Sequence, residues 1–243
     1  ATNPGAVDIA DLTVTGGSGD DTLNVAAADA GVELLVDAGE GNDKVTIGAD
    51  LDAAATATVG DGLNGGDGTD TAVFTAGVAA GDLTDAELAT VENISISGAF
   101  TFDFALQTEA LTITRGNDIT NVVGSAGANT ITTGTAADII LGGAAADTIN
   151  SGDGNDNIDG AAGNDVINAG AGNDIIDGGA GRNTLTGGTG ADRFVLENPA
   201  LAAVLVTSDF DVITDFEVGV DSLDIVSGAP GAIDLADAIV QTT

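Results

Sequence analysis

The sequence contains no cysteine, histidine, methionine, tryptophan or tyrosine. The lack of cysteine excludes disulfide bonds, for which a bound metal is the usual substitute in an extracellular protein. The lack of both histidine and cysteine excludes Ser-His-Asp triads, cysteine nucleophiles and H-E-x-x-H zinc sites. Paired carboxylates remain as catalytic groups, but most of the acids that we can place fall in glycine-rich loops or on solvated strand faces. We therefore expect no enzymatic activity.

Basic residues are also scarce, with 4 lysines and arginines against 39 acidic residues and a formal net charge of −35. Nucleic acids and anionic membranes are bound through basic surfaces, so this composition argues against both as partners. Cations are the partners that such a charge favours. Without them, the mutual repulsion of the acidic groups opposes a compact chain.

Aromatic residues make up 3% of the chain, and the apolar content is mostly alanine, valine, isoleucine and leucine. Such side chains suit a thin solenoid core better than a globular one. No apolar run approaches the roughly 18 residues of a membrane-spanning helix, and residues 1–14 lack the basic and apolar regions of a cleaved export signal. We therefore expect no insertion into a membrane.

Glycine is abundant, and much of it falls in eight consecutive nine-residue units that run from Gly124 to Val195. Each unit approximates G-G-x-G-x-D-x-U-x, where U is aliphatic. Glycines at the first, second and fourth places allow a six-residue loop to adopt positive φ and to bring backbone carbonyls towards a cation. The last three residues form a short strand whose middle side chain enters the core. The predicted core column contains Ile131, Ile140, Ile149, Ile158, Ile167, Ile176, Leu185 and Phe194.

Two units make one turn of the predicted solenoid, so loops 18 residues apart stack on the same edge. The sixth residues then form two columns, which are Asn129, Asp147, Asp165 and Asn183 on one edge and Asp138, Asp156, Asp174 and Asp192 on the other. Carboxylates about 4.8 Å apart repel by roughly 1 kcal/mol in water, and by more in a loop of lower dielectric constant. A divalent cation between them reverses the sign. Calcium is expected, because it accepts carboxylates and carbonyls in flexible geometry whereas magnesium requires a tight octahedron.

This pattern resembles the repeat of the RTX family of secreted calcium-binding proteins. The resemblance implies an all-β fold, a parallel β-roll or β-solenoid with several calcium ions between stacked glycine loops. It also implies export through the type I machinery. In the family, carbonyls one and three and the Asp of one loop act with carbonyls two and four and the Asp of the loop one turn later. One site would then use Ser151, Asp153 and Asp156 with Gly170, Gly172 and Asp174.

The pairing of aspartates defines where full sites are expected. These pairs are Asp138/Asp156, Asp156/Asp174, Asp174/Asp192 and Asp147/Asp165, and the candidate carbonyl ligands include Gly152, Gly154, Gly188 and Gly190. We expect pairs that involve Asn129 or Asn183 to bind calcium more weakly. Ala136 and Ala145 depart from the pattern, since each replaces the fourth-place glycine.

Three further nonapeptides lie in the first third of the chain, and their sixth residues are Asp21, Asp43 and Asp70. Their spacings of 22 and 27 residues predict irregular solenoid turns over residues 1–77. The segment GGDGTDTAVF followed by ATVENISIS also resembles the calcium-dependent surface-layer (S-layer) proteins of Gram-negative bacteria. This second resemblance covers Gly16 to Gly98.

The remaining segments are predicted to connect and close the roll. The T-x-x-E sequence at Thr84 to Glu87 predicts a short helical excursion near residues 82–90. The residues that follow alternate between apolar and polar and predict a calcium-poor β ladder. Residues 78–123 are therefore predicted to form one region. Residues 124–195 form the regular roll. Residues 196–243, with Phe210 and Phe216, are predicted to form a C-terminal β cap over the open edge.

The resemblances imply three possible roles: a folding module of a secreted enzyme or toxin, an extender of an adhesin, and a surface-layer protein. The Ala/Thr/Val/Gly-rich composition is most similar to the third. We predict a calcium-binding structural protein at the bacterial cell surface that self-assembles into a lattice in the presence of calcium. The alternative is a C-terminal folding and export module of a larger secreted enzyme, toxin or adhesin.

Overall fold

The computed structural model describes residues 11–25, 33–47, 62–75, 88–96, 101–105, 107–115, 121–198, 211–227 and 239–240. Within these ranges the chain is built from short strands and contains no helix. The strands are β1 (Asp11–Ser18), β2 (Thr22–Val25), β3 (Glu33–Glu40), β4 (Lys44–Ile47), β5 (Gly62–Asn64), β6 (Thr71–Phe74), β7 (Leu88–Ala89), β8 (Asn93–Ile96), β9 (Thr101–Asp103), β10 (Thr112–Arg115), β11 (Asn121–Val123), β12 (Thr130–Thr132), β13 (Ile139–Gly143), β14 (Thr148–Asn150), β15 (Asn157–Ala161), β16 (Val166–Ala171), β17 (Ile175–Asp177), β18 (Thr184–Thr189), β19 (Arg193–Asn198), β20 (Val212–Ile213), β21 (Ser222–Ser227) and β22 (Ile239–Val240).

The strands form three parallel sheets that wind as a β-solenoid. Even-numbered strands form an 11-stranded sheet from β2 to β22, while odd-numbered strands form a four-stranded sheet, β1-β3-β5-β7, and a seven-stranded sheet from β9 to β21. Consecutive strands alternate between the even and odd sets, so one turn contains one strand of each. In the repeat region the partners are 18 residues apart, as in Ile131↔Ile149 and Ile140↔Ile158. The predicted parallel β-roll is confirmed.

The core is a double column of aliphatic side chains. Ile149 and Ile167 are register partners in one sheet, and Ile158 and Ile176 are partners in the other. All eight predicted core residues of the repeats are at most 1% exposed. Burial of each such side chain contributes about 1.5–3 kcal/mol, and the outward residues on either side of it meet solvent.

The ladder continues beyond the repeats. Ile213 of β20 is the partner of Leu185, and Leu223 of β21 is the partner of Phe194. Phe216 adds an aromatic contact, with its ring centroid 6.1 Å from that of Phe194. Phe210 lies outside the described residues.

The helix predicted near residues 82–90 is not present in the part of that segment that the structure describes. Residues 82–87 lie outside the described residues, but Leu88–Ala89 form β7, paired with Leu63 and Asn64 of β5. Leu88 is 2% exposed, so burial and strand pairing outweigh the local capping signal. The prediction is wrong for residues 88–90.

The irregular spacing of the first three nonapeptides does not disturb their stacking. Thr22, Lys44 and Thr71 are partners in successive strands, so the loops that precede them are in register. The additional residues fall between β2 and β3 and between β4 and β5, outside the glycine loops. Within the described ranges, no helix is long and apolar enough to cross a membrane.

Candidate metal centre

The sixth residues of the loops form hydrogen-bonded ladders along both edges of the roll. On the edge that is entirely acidic, the backbone N–H of Asp138 donates to Asp156 Oδ1 at 2.8 Å, and the N–H of Asp156 donates to Asp174 Oδ1 at 2.8 Å. Asp174 N–H donates to Asp192 Oδ1 at 3.0 Å. The carboxylates of Asp156, Asp174 and Asp192 therefore each have one oxygen fixed by the preceding turn, which aligns the column that the sequence predicted.

The other edge repeats this geometry in both halves of the chain. Asp147 N–H donates to Asp165 Oδ1 at 2.8 Å, and Asp165 N–H donates to Asn183 Oδ1 at 2.8 Å. In the first third, Asp21 N–H donates to Asp43 Oδ1 and Asp43 N–H donates to Asp70 Oδ1, both at 2.8 Å. The three N-terminal aspartates therefore belong to one stack.

The second carboxylate oxygen has no protein partner at most of these positions. The buried oxygens without a hydrogen bond are Asp43 Oδ2, Asp70 Oδ2, both Asp138 oxygens, Asp147 Oδ2, Asp156 Oδ2, Asp165 Oδ2 and Asp174 Oδ2. A buried unsatisfied polar group costs about 1–3 kcal/mol, and more when it is charged. A column of such oxygens is therefore unfavourable unless a positive ligand lies beside it.

Burial also changes the protonation of these aspartates. It raises the pKa of Asp147, Asp156 and Asp192 above the usual carboxyl value. It raises the pKa of Asp165 and Asp174 to about 6, and carboxylates one turn away add to the shift although a backbone N–H opposes it. Without a cation, these carboxyl groups therefore keep their protons to a higher pH in the folded roll than in the unfolded chain.

Asn129 shows what these oxygens face. Its Oδ1 accepts the Leu111 N–H at 3.2 Å, which identifies the other end of the amide as nitrogen. Nδ2 donates to the carbonyls of Ser125 at 3.1 Å and Gly127 at 2.8 Å within its own loop. It also donates to Gly142 O at 3.2 Å and to Asp147 Oδ1 at 3.1 Å in the next loop. A hydrogen-bond donor thus sits among four oxygens between the two loops.

An aspartate in the same place puts an oxygen where Asn129 puts its NH2 group. A Cβ added at Gly124 would lie 2.9 Å from Asn129 Nδ2, and one added at Gly142 would lie 2.8 Å from Asp147 Oδ2, so the two atoms hold equivalent places in successive loops. An oxygen among carbonyl and carboxylate oxygens requires a cation or a proton, and an ionised carboxylate leaves only the cation. Calcium fits this all-oxygen donor set.

We call the space between the sixth residues of two loops one turn apart a gap. The carbonyls that face each gap differ from the predicted combination. Gly152 O accepts the Ala171 N–H at 2.8 Å and so faces the following loop. Ser151 O accepts the Thr133 hydroxyl at 2.8 Å and so faces the preceding loop. The gap between Asp156 and Asp174 is therefore lined by carbonyls of Gly152 and Gly154, together with Ala169 O, which accepts the Ser151 hydroxyl at 2.7 Å.

The predicted combination of Ser151 and Asp153 with Gly170 and Gly172 is consequently reversed, because second- and fourth-place carbonyls face the loop one turn later and first-place carbonyls face the loop one turn earlier. A Cβ added at Gly188 would collide with Gly170 O, so that carbonyl faces the gap after Asp174 rather than the gap before it. The reason is the direction of the chain through the loop, since alternate carbonyls point to opposite neighbours. The predicted carbonyl ligands lie in the stacked loops, but they divide between adjacent gaps.

The glycines of the repeat allow the loops to approach closely. Gly170 and Gly172 have φ of 101° and 148°, and a Cβ added at Gly172 would collide with Gly154 O. Gly188 and Gly190 occupy the same places in the last loop, with φ of 96° and 139°. Ala136 and Ala145 do not adopt positive φ, so the fourth place of their loops has a different conformation.

Sequence reasoning missed acidic residues that extend the columns into the cap. Asn183 N–H donates to Asp211 Oδ1 at 2.9 Å, and Asp192 N–H donates to Asp221 Oδ1 at 3.0 Å. Asp221 Oδ2 accepts the Glu217 N–H at 2.7 Å. The signal was an aspartate directly before an aliphatic strand, in D-V-I and D-S-L-D-I, without the glycines that drew attention to the other loops.

A second ladder runs beside the sixth residues and was also missed. Asn173 N–H donates to Asn155 Oδ1 at 2.8 Å, Ala191 N–H donates to Asn173 Oδ1 at 2.8 Å, and Arg182 N–H donates to Asn164 Oδ1 at 2.9 Å. These fifth residues point to solvent and satisfy a loop N–H of the following turn. Their role is to align the loops.

Among the described residues, no group of three or more acidic side chains converges on one point. Each gap instead combines two sixth-place side chains with backbone carbonyls. This composition fits calcium, which would neutralise the facing oxygens and join consecutive turns when bound.

Comparison with known families supports this assignment. A family model of the RTX calcium-binding nonapeptide repeat matches four stretches, residues 13–28, 114–149, 123–158 and 159–194. The chain carries RTX calcium-binding repeats. The matches support the RTX family and include both the first N-terminal loop and the regular roll. A roll of RTX repeats is a structural element, and its repeats bind calcium in proteins typically exported by the type I route. A search of curated proteins gave no match.

The calcium-free RTX roll should become less stable as pH rises from about 4 to 6. The pKa of Asp165 and of Asp174 is about 6 in the folded chain, against an ordinary value of 3.8. Over this window the folded state binds more protons than the unfolded state, so the free energy of unfolding falls as pH rises. Urea unfolding of calcium-depleted protein, followed by circular dichroism, measures this; a midpoint that rises with pH over the window would contradict it.

Proposed function

We propose that this protein is a calcium-binding structural protein of a bacterial surface layer, exported by the type I route. The observation that supports calcium binding is the column of buried carboxylate oxygens without protein partners. The surface-layer role is supported by the N-terminal stack of Asp21, Asp43 and Asp70, which continues into the E-x-aliphatic strand at Glu92. The protein acts at the cell surface without catalysing a reaction.

Calcium has two roles in this proposal. Between the loops it neutralises the stacked carboxylates, so that the turns can pack. Between subunits it joins outward acidic residues, such as Asp159 and Asp37, which lie on exposed strand positions of the roll. The formal charge of −35 makes neighbouring subunits repel, and monovalent salt screens this repulsion beyond about 10 Å at 0.1 M without forming a bridge.

The second candidate function is a folding and export module of a larger secreted enzyme, toxin or adhesin. It is favoured by the regular roll of residues 124–195 with strands β20 and β21 continuing both sheets after the last repeat. In that case calcium folds the roll but does not produce a lattice.

Assembly distinguishes the two functions. We expect millimolar calcium to drive the folded protein into a two-dimensional array at an ionic strength where sodium does not, with magnesium ineffective because of its stricter coordination. Negative-stain electron microscopy and light scattering at matched ionic strength measure this. A protein that folds with calcium but stays monomeric at high concentration would favour the export module.

A further inference from the structure

The N-terminal loop stack ends at a shortened loop. Asn64 of β5 pairs with Ala89, and Thr71 of β6 pairs with Asn93. The six residues of the 65–70 loop therefore face only three residues, numbers 90–92. In this short segment Thr90 is opposite Gly65, at the first place of the loop, and Glu92 is opposite Asp70, at the sixth.

Glu92 takes the place that aspartate holds in the other loops. Asp70 N–H donates to Glu92 Oε2 at 2.8 Å. This is the same bond, at the same length, that joins Asp21 to Asp43 and Asp43 to Asp70. The column of carboxylates therefore continues for one more turn than the glycine repeats do.

Thr90 is held in a conformation that directs its carbonyl into the same gap. Its φ is 52°, which is unusual for a β-branched residue. Its hydroxyl accepts the Gly66 N–H at 2.7 Å and donates to Asn64 Oδ1 at 2.8 Å, and these bonds stabilise the turn. A Cβ added at Gly65 would collide with Thr90 O and would lie 2.5 Å from Asp70 Oδ2.

Asp70 Oδ2 therefore lies beside a carbonyl oxygen without a donor between them. Asp70 is 2% exposed, and its Oδ2 has no hydrogen-bond partner. The equivalent place beside Gly124 is filled by Asn129 Nδ2, which donates to Gly142 O. If Glu92 acted only as an acceptor for the Asp70 N–H, it would leave this buried oxygen unsatisfied.

We propose that Asp70, the Thr90 carbonyl and Glu92 form a terminal calcium site that closes the N-terminal stack. The inference rests on the proposed calcium binding and extends it to a segment without the glycine repeat. Two carboxylates and a carbonyl, with water completing the shell, are ligands that calcium accepts. The ion joins the last glycine loop to the β7–β8 connection.

Glu92→Gln tests this site, because glutamine keeps an acceptor for the Asp70 N–H but removes the negative charge. The matched control is Glu109→Gln, which loses the same charge from an exposed side chain. Bound calcium is counted by native mass spectrometry, and affinities are measured by isothermal titration calorimetry. We expect Glu92→Gln to lose one ion, or to bind one ion at least tenfold more weakly, while the control matches the wild type.

The outcomes separate this inference from the proposed function. A wild-type protein that binds no calcium would contradict calcium binding altogether. Unchanged stoichiometry and affinity in Glu92→Gln, with calcium binding elsewhere intact, would overturn the terminal site alone. If Glu92→Gln fails to fold, a crystal structure of the wild type grown with calcium decides, since an ion between Asp70 and Glu92 is required and its absence there refutes the site.

Discussion

Removal of calcium is expected to unfold the repeat region and abolish its β structure. Six buried carboxylate oxygens of the regular roll have no protein partner, and at about 1–3 kcal/mol each their cost is on the order of 10 kcal/mol. A whole domain is stabilised by only about 5–15 kcal/mol. Without a cation or protons on these groups, the thin aliphatic core cannot offset both this cost and the conformational entropy of the chain.

Far-UV circular dichroism during chelation at neutral pH measures the loss, with protease resistance as a second signal. We expect the β spectrum to return on addition of calcium with a midpoint on the order of 10⁻⁴ to 10⁻³ M, the range of extracellular modules. Magnesium at the same concentration is the control for ionic strength. Persistence of the β spectrum and of protease resistance in excess chelator and low salt would show that folding does not depend on the metal.

The regular roll could be predicted from the sequence because the nine-residue period contains its own register. Once two units make a turn, Ile149 must lie next to Ile131 and Asp156 next to Asp138, and the structure has both pairs. The N-terminal turns have no fixed period. Their register depends on pairing between strands separated by 22 and 27 residues, which only the folded sheet reveals.

Two predictions, the helix near residues 82–90 and the carbonyl ligands of each gap, were wrong for reasons that the local sequence pattern does not contain. The helical signal before Leu88 was outweighed by the burial of that side chain and by pairing with β5. The assignment of carbonyls to the two sides of a gap was reversed, because it depends on the direction in which each peptide of the loop points. A one-dimensional motif specifies which residues form a loop, but not which neighbour each carbonyl faces.

The role of Asn129 was also only partly predicted. The sequence indicated weaker calcium binding beside it, because an amide has no charge. The structure adds that its Nδ2 donates to Ser125 O, Gly127 O and Gly142 O, so the amide satisfies the oxygens that face it. An asparagine at the sixth place thus acts as a substitute for the ion, and the loop pair is satisfied without metal.

Because an amide can replace the ion, two replacements of Asp156 are expected to differ in the stability of the calcium-free protein. Asp156→Ala removes a carboxylate that lies between two gaps, and the facing carbonyls of Gly152 and Gly154 lose the ion or donor that the sixth place would supply, although Gly152 O keeps the Ala171 N–H. We expect it to lose two calcium ions and to require more calcium for folding. Asp156→Asn should also bind fewer ions, but its amide can donate to those carbonyls as Asn129 does, so the calcium-free protein should be more stable than the wild type by about 1 kcal/mol or more.

The converse variant, Asn129→Asp, provides the matched control at the equivalent place on the other edge. It puts an oxygen among Ser125 O, Gly127 O and Asp147 Oδ1, so it should gain one calcium ion and destabilise the calcium-free roll. Ion counts by native mass spectrometry measure calcium binding in all three variants. Urea midpoints measure their stability, with calcium at neutral pH and without calcium at the acidic pH where protonated carboxyl groups allow the roll to fold. The prediction depends on one difference between the two side chains, which is that asparagine can donate to the facing carbonyls and alanine cannot. If Asp156→Asn and Asp156→Ala are equally unstable without calcium, the amide does not replace the ion.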